Sequence, residues 1–199
     1  MRWQLVMIGI TVLAGARPLP AAEPPTLLGV QRIVAEQPEA REERSWKFIV
    51  LHHSAAENGS VETIDTAHRQ RLDANGVPWR GIGYHFVIGN GHGMDDGEIR
   101  STFRWREQCE GAHAGVTQFN QHGIGICLIG NFEERNPTPA QLMSLMRLVQ
   151  VLRQEYGIED TAILAHRDIK PTACPGGQFP LARIRTNTGP ILKASAVRD

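Results

Sequence analysis

A histidine and a cysteine lie eight residues apart in a segment that prolines interrupt. His166 offers an imidazole nitrogen and Cys174 a thiolate sulfur, with Pro171 between them. Zinc binds such donors tetrahedrally, and a catalytic zinc site combines three protein ligands with one open position for water. The pair therefore indicates two zinc ligands and requires a third from elsewhere, although a loop histidine beside a free thiol has the same pattern.

The candidates for the third ligand are two histidines at the end of an apolar run. Residues 46–51 are mostly apolar and are followed by His52 and His53, then by small polar residues. This pattern predicts a buried strand that brings its last side chains to the edge of a sheet. Side chains alternate along a strand, so at most one of the two histidines reaches a given site. Spacing alone does not choose between them.

Three more apolar segments predict further strands. They cover Tyr84–Ile88, Ile124–Ile129 and Ala162–Ala165. Because helical segments separate these strands, we predict an α/β fold in which α-helices flank a sheet. The order of the strands within the sheet stays open.

The clearest helix signal covers Thr138 to Tyr156. Thr138 suits the N-cap, and Gln141 three residues later completes a capping box. Pro139 suits the first turn, and Gly157 ends the helix. Apolar residues recur every three or four positions, which predicts one face packed against the core.

A second helix signal begins after Ser60, a favourable N-cap residue. The spacing of Ile64, His68 and Leu72 places them on one face of a helix over about residues 61–74. The Asn-Gly pair that follows ends this helix.

The length and composition indicate one domain. The chain has 199 residues, of which 41% are hydrophobic, and this is enough for one sizeable core. Residues 1–22 combine a basic start, an apolar stretch and small residues, which predicts a secretory signal peptide rather than a membrane anchor. We predict a linker or N-terminal arm over residues 23–45, the functional domain over 46–190 and a C-terminal tail over 191–199.

The charge balance excludes one class of partner. The chain has 21 basic and 21 acidic residues, and removal of residues 1–22 takes away Arg2 and Arg17, which leaves 19 against 21. A nearly neutral domain lacks the basic surface of a nucleic-acid-binding protein. We therefore expect no binding of nucleic acid. The predicted signal peptide indicates a periplasmic or secreted protein that does not stay inserted in a membrane after cleavage. We also expect a monomer.

Three cysteines allow at most one disulfide in an exported protein. Cys127 lies in an apolar run and is typical of a buried core thiol, whereas Cys109 lies in a polar stretch. A Cys109–Cys127 bridge stays open, and Cys174 is expected to be the unpaired thiol.

Five separated motifs follow one another along about residues 46–185. They are Leu51–Ala55, Gly83–Phe86, Gly111–His113, Gly123–Ile126, and His166–Asp168 together with Thr172–Gly176. In this order they resemble the motifs of the zinc-dependent N-acetylmuramoyl-L-alanine amidases, in the branch of phage lysozymes and peptidoglycan-recognition proteins. Each motif alone is weak evidence, whereas five in matching order are specific.

The resemblance implies a fold, a ligand set and a reaction. It implies a mixed central β-sheet flanked by α-helices, with a zinc-containing groove that binds peptidoglycan or muropeptides. It selects His52, together with His166 and Cys174, as the metal ligands. The implied reaction is hydrolysis of the amide between N-acetylmuramic acid and L-alanine, with Zn²⁺ as cofactor and zinc-bound water as nucleophile.

The same resemblance implies roles for two other side chains. Tyr84 and Thr172 map onto catalytic positions. The Tyr84 hydroxyl is suited to orient the zinc-bound water or to stabilise a developing oxyanion, and the Thr172 hydroxyl is suited to stabilise the same charge. His113, which follows two small residues, is expected either to bind the stem peptide of the substrate or to be an ordinary loop histidine. The chain carries Cys127 where a subgroup of related cytoplasmic amidases carries a glutamate. Its segment 93–108 is longer and more charged than the matching loop of the family.

Two other functions fit the same motifs. One is a peptidoglycan-binding module of this fold without hydrolysis, although such modules have lost the cysteine ligand that Cys174 supplies here. The other is a cell-wall cysteine peptidase that uses Cys174 as its nucleophile. The Pro-Gly-Gly that follows Cys174 is a poor helix start and so a poor device for lowering the pKa of a thiol.

Overall fold

The structure, a computed structural model, describes residues 23–37, 44–73 and 75–186. The signal peptide predicted over 1–22 and the tail predicted over 191–199 lie outside these ranges. No helix within the described ranges is long and apolar enough to span a membrane.

One mixed sheet of five strands forms the centre of the fold. In chain order the strands are β1 (Phe48–His53), β2 (Phe86–Ile88), β3 (Ile99–Ser101), β4 (Gly123–Leu128) and β5 (Ile163–Ala165). Their order across the sheet is β3-β2-β4-β1-β5, with β3 antiparallel to β2 and the other neighbours parallel. The predicted α/β fold with a mixed central sheet is confirmed. Strand β3 escapes prediction because its sequence, Ile-Arg-Ser, is not an apolar run, whereas the equally short β2 and β5 lie within apolar segments.

Six α-helices accompany the sheet in the described ranges. They are α1 (Leu27–Val34), α2 (Val61–Arg69), α3 (Phe103–Arg106), α4 (Thr117–His122), α5 (Pro139–Tyr156) and α6 (Leu181–Thr186). Helix α5 confirms the clearest helix prediction, since Thr138 Oγ1 accepts from the Gln141 amide at 3.0 Å. Gly157 ends α5 with a φ of 65°, a left-handed conformation that glycine adopts without strain.

Helix α2 is shorter than its sequence signal. Ser60 caps it as predicted, but the helix ends at Arg69 rather than a turn later. Asp73 Oδ1 instead accepts the backbone amide of Val77 at 2.9 Å, and local turns of this kind compete with helical hydrogen bonds. Leu72, predicted on the same helix face as Ile64 and His68, consequently lies beyond the helix and is 60% exposed.

The segment expected to be a linker or loose arm contains helix α1. Thr26 caps this helix by accepting from the Gly29 amide at 3.1 Å. Val30 and Val34 are buried in the main core, and the Trp105 indole donates to Val34 O at 2.9 Å. Because a two-turn helix depends on such long-range contacts, the local sequence pattern does not reveal it.

Alternation along the central strands separates the main core from a second face of the sheet. The main core includes Ile49, Leu51, Ile124, Ile126 and Leu128, which cluster with residues of α1 and α5. The intervening positions His52, Gly125 and Cys127 point to the other face. His52 and Cys127 are partners in the parallel register of β1 and β4. The second face therefore holds the polar groups that the motifs supply.

Candidate metal centre

Three side chains of the types that ligate metals converge at the ends of two parallel strands. His52 lies near the end of β1, His166 directly follows β5, and Cys174 lies on the loop beyond it. Their donor atoms all lie within 4.8 Å of one another, and we call these three residues the metal-ligand cluster. Parallel pairing of β1 with β5 brings the two histidines to the same edge of the sheet.

The donor set and its spacing fit a zinc ion. Zn–S and Zn–N bonds of about 2.3 and 2.0–2.1 Å, set at a tetrahedral angle, place sulfur and nitrogen about 3.6 Å apart. The 3.7 Å between His52 Nδ1 and Cys174 Sγ matches this spacing. Two imidazoles and one thiolate also leave a fourth position open, as a catalytic zinc site requires.

Burial prepares both imidazoles to act as neutral ligands. It lowers the pKa of His52 well below its ordinary value, and the neighbouring His113 and His166 lower that pKa further. Burial also lowers the pKa of His166. Each ring therefore stays uncharged near neutral pH and keeps one nitrogen lone pair for a metal.

Without a metal, the Cys174 thiol is protonated at neutral pH. Burial raises its pKa to about 11, although the His53 amide, 3.4 Å from Sγ, and the Arg167 charge oppose this shift. A bound zinc ion deprotonates a coordinating thiol outright. The surroundings of Cys174 thus suit a metal thiolate better than a free thiolate nucleophile.

His53 points away from the metal-ligand cluster. Its Nδ1 accepts from the Phe132 amide at 3.3 Å, and its ring centroid is 6.0 Å from that of Phe132 in the main core. The predicted alternation of the two histidines is therefore confirmed. It places His52, and not His53, in the cluster.

Two hydroxyl groups belong to the surroundings of the cluster. The Tyr84 ring centroid is 5.1 Å from that of His52. Burial, followed by the thiols of Cys127 and Cys174, raises the pKa of the Tyr84 phenol well above its ordinary value. The Thr172 hydroxyl accepts from the Cys174 amide at 3.3 Å, which closes the turn before the cysteine. Both hydroxyls are protonated at neutral pH and can donate a hydrogen bond.

His113 is bonded within the protein at both ring nitrogens. Its Nδ1 is 3.0 Å from His52 Nε2, and its Nε2 is 3.1 Å from Gly123 O. Burial lowers its pKa to about 3, so the ring is neutral. Only 7% of the residue is exposed. These bonds leave just the ring edge for the contact with a stem peptide that the sequence suggests.

Comparison with known proteins gives a match over the part of the chain that contains the motifs. Residues 42–177 match the family model described as N-acetylmuramoyl-L-alanine amidase. This chain belongs to that amidase family. The endolysin of Enterobacteria phage T3 is 33% identical over 143 residues, which cover 68% of this chain and 82% of the endolysin.

Two further relatives of this amidase-family chain are a peptidoglycan-recognition protein and a second endolysin, whose structure is solved. Peptidoglycan-recognition protein 2 of Holotrichia diomphalia is 30% identical over 139 residues, which cover 65% of this chain and 67% of that protein. The solved structure of the endolysin N-acetylmuramoyl-L-alanine amidase LysCS from Clostridium intestinale is 35% identical, with a TM-score of 0.60. That match covers 72% of this chain and 83% of LysCS. The resemblance that the sequence motifs indicate is confirmed.

A groove of about 730 Å³ opens beside the metal-ligand cluster of this amidase-family domain. Its lining includes His68, Arg71, Trp79, Tyr84, His166 and Lys170. A second cavity of about 280 Å³ shares Tyr84, His68 and Arg71 with the first. Neither Arg71 nor Lys170 belongs to a residue pattern that marks a functional site. The one available signal was the position of Lys170 between the motif residues His166 and Cys174.

The three cysteines of the amidase-family chain are free thiols. Cys127 is fully buried, as predicted for a core thiol, and burial raises its pKa well above the ordinary value. Cys109 Sγ lies 3.5 Å from an Arg80 nitrogen, and the Cys109–Cys127 bridge that the sequence leaves open is not formed.

Proposed function

We propose that this chain is a zinc-dependent amidase that hydrolyses the amide between the lactyl group of N-acetylmuramic acid and L-alanine. The observation that carries the proposal is the convergence of His52, His166 and Cys174 at a spacing that suits zinc. The family match and the similarity to LysCS, itself an N-acetylmuramoyl-L-alanine amidase, support the activity. The substrate is peptidoglycan or muropeptides, and the enzyme acts as a periplasmic or secreted monomer after removal of residues 1–22.

The polar groups around the cluster have separate roles in this proposal. When bound, Zn²⁺ supplies a water of lowered pKa and a Lewis acid for the scissile carbonyl. The Tyr84 phenol donates a hydrogen bond to the carbonyl oxygen as that oxygen becomes negatively charged, and the Thr172 hydroxyl donates a second hydrogen bond to the same oxygen. Arg71 and Lys170 line the groove and are placed to pair with individual carboxylates of a stem peptide, while Asp73 and Glu110, which line it too, balance its net charge.

Removal of the metal is expected to abolish hydrolysis, and added zinc is expected to restore it. Loss of a Lewis acid removes several kcal/mol of transition-state stabilisation, which corresponds to at least about 10³-fold in rate. The measurement is mass spectrometry of a defined muropeptide digested before chelation, after chelation and after addition of zinc. The expected product is a stem peptide with a free amine on L-alanine.

The same digest separates the zinc amidase from its two rivals. Hydrolysis that survives complete removal of metal and stops on alkylation of thiols would favour a cysteine peptidase. The pKa of about 11 for Cys174 argues against that reactivity. Binding of muropeptides at full zinc occupancy, without any cleavage, would favour a non-catalytic module.

Thr172→Ala is expected to lower kcat about tenfold and to leave KM nearly unchanged. The hydroxyl matters most once the carbonyl oxygen becomes charged, so its loss acts on turnover more than on substrate binding. A hydrogen bond to a charged group contributes about 1.5 kcal/mol, which corresponds to about tenfold in rate. The measurement is steady-state kinetics on one muropeptide at matched zinc occupancy.

Thr172→Ser is the matched control for this prediction, because it keeps a hydroxyl at the same position. It should retain most of the turnover. Wild-type kcat with a raised KM in Thr172→Ala would show instead that Thr172 binds substrate or shapes the turn before Cys174.

A further inference from the structure

His113 and Ala114, adjacent residues of one loop, form hydrogen bonds with the Nε2 atoms of the two histidines in the metal-ligand cluster. His52 Nε2 lies 3.0 Å from His113 Nδ1, and His166 Nε2 lies 3.1 Å from Ala114 O. Asn120 Oδ1 holds this loop, since it accepts hydrogen bonds from the backbone amides of His113 and Ala114 at 3.0 and 2.8 Å. The loop therefore supports the side of each imidazole that faces away from the metal position.

A backbone carbonyl determines the proton positions along the His113–His52 pair. Gly123 O can only accept a hydrogen bond, so His113 Nε2, 3.1 Å away, carries the N–H. A neutral imidazole has one N–H, so His113 Nδ1 is an acceptor and His52 Nε2 donates to it. The remaining lone pair of His52 is on Nδ1, the atom that faces Cys174 Sγ.

The His113 ring occupies a slot that two glycines leave open. A Cβ atom at Gly111 would lie 2.3 Å from His113 Cδ2, and a Cβ atom at Gly125 would lie 2.5 Å from it. The ring has little freedom to move aside, because it is buried and bonded at both nitrogens. Glycines from two separate sequence motifs thus provide the space for this imidazole.

We propose that His113 is a positioning residue that holds His52 with its Nδ1 lone pair directed at the metal. This inference rests on the zinc site of the proposed function. A ligand histidine whose other N–H is bonded keeps one tautomer and one ring orientation, and loss of such a partner typically costs about 10–100-fold in metal affinity. For His166 the Ala114 carbonyl has the corresponding role, which a side-chain substitution does not remove.

The test compares the zinc affinity of two His113 variants by competition with a chromophoric chelator. His113→Leu fills a similar volume without nitrogen atoms and is expected to weaken zinc binding about tenfold to a hundredfold. His113→Asn places an amide oxygen close to the position of Nδ1, keeps an acceptor for His52 and is expected to recover most of that loss. Val149→Ala, in the main core, is the control for lost stability and is expected to keep wild-type affinity.

A second measurement needs no variant. Nitrogen-15 NMR of the imidazoles in metal-free wild-type protein should show the proton on Nε2 in both His113 and His52. The opposite tautomer in either ring would overturn the proposal. Wild-type zinc affinity in His113→Leu would also overturn it, as would equal weakening by both His113 variants, since that marks a role in filling space.

The proposed zinc site and the proposed positioning role of His113 can be refuted separately. Wild-type protein that binds no zinc would refute the proposed metal site, and the NMR result would still decide the proton arrangement of the His113–His52 pair. Zinc binding by the wild type that does not depend on His113 would refute the positioning role alone.

Discussion

Cys174→Ser is expected to abolish hydrolysis and to remove most of the bound zinc. Cys174 supplies the sulfur donor of the metal-ligand cluster, and a serine hydroxyl is a poor replacement because zinc sites of this kind use thiolate, imidazole or carboxylate. Loss of the metal should lower the rate by at least about 10³-fold. Elemental analysis of zinc and mass spectrometry of a muropeptide digest are the two measurements.

Two further variants test the ligand assignment. Cys109→Ser removes a free thiol outside the metal-ligand cluster and should keep both zinc and activity. His52→Ala should behave like Cys174→Ser, since it removes a nitrogen donor from the same set. Stoichiometric zinc with full activity in either cluster variant would show that the assignment is wrong.

Tyr84→Phe is expected to keep the metal and to slow hydrolysis about 10²-fold. The substitution removes only the hydroxyl, while the ring still packs 5.1 Å from the ring of His52. Loss of one donor to a developing oxyanion costs on the order of 10²-fold in rate. The measurement is turnover of one muropeptide, compared with wild type at equal zinc content.

The chain offers a matched control for Tyr84, because it has one other tyrosine. The Tyr156 hydroxyl bonds to Gln37 Nε2 at 3.1 Å, at the end of α5, and Tyr156→Phe should leave turnover unchanged. The raised pKa of the Tyr84 phenol keeps its proton in place at neutral and mildly alkaline pH, so the wild type should not lose this donor as pH rises through 9. An unchanged rate in Tyr84→Phe would reduce Tyr84 to a packing residue.

Where local interactions decide the structure, the sequence predicts the ends of a helix to within a few residues. The N-cap Thr138, its capping partner Gln141 and the terminal Gly157 act on α5 within a few residues of themselves, and α5 begins and ends as they predict. The same holds for Ser60 at the start of α2. The end of α2 differs because Asp73 forms a turn that competes with the helix, and propensity does not predict which of the two wins.

The sequence by itself determined the amidase family and the α/β class, and it marked His166 and Cys174 as a donor pair suited to a metal ion. Motif order, periodicity and donor type are all properties of the chain as written. It did not choose between His52 and His53 without the family, since both have the same donor atom. The tertiary structure separates them through the two faces of β1, which direct one ring to the cluster and the other to the main core.

The role of His113 depended wholly on the tertiary structure. His113 lies 61 residues from His52 along the chain, and its slot requires Gly111 and Gly125 from different motifs. Hydrogen bonds and close packing between such distant residues leave no periodic mark in the sequence. They form only after the strands pair and the loop closes over one face of the sheet, and this is why the fold, and not the motif, assigns each ring nitrogen its partner.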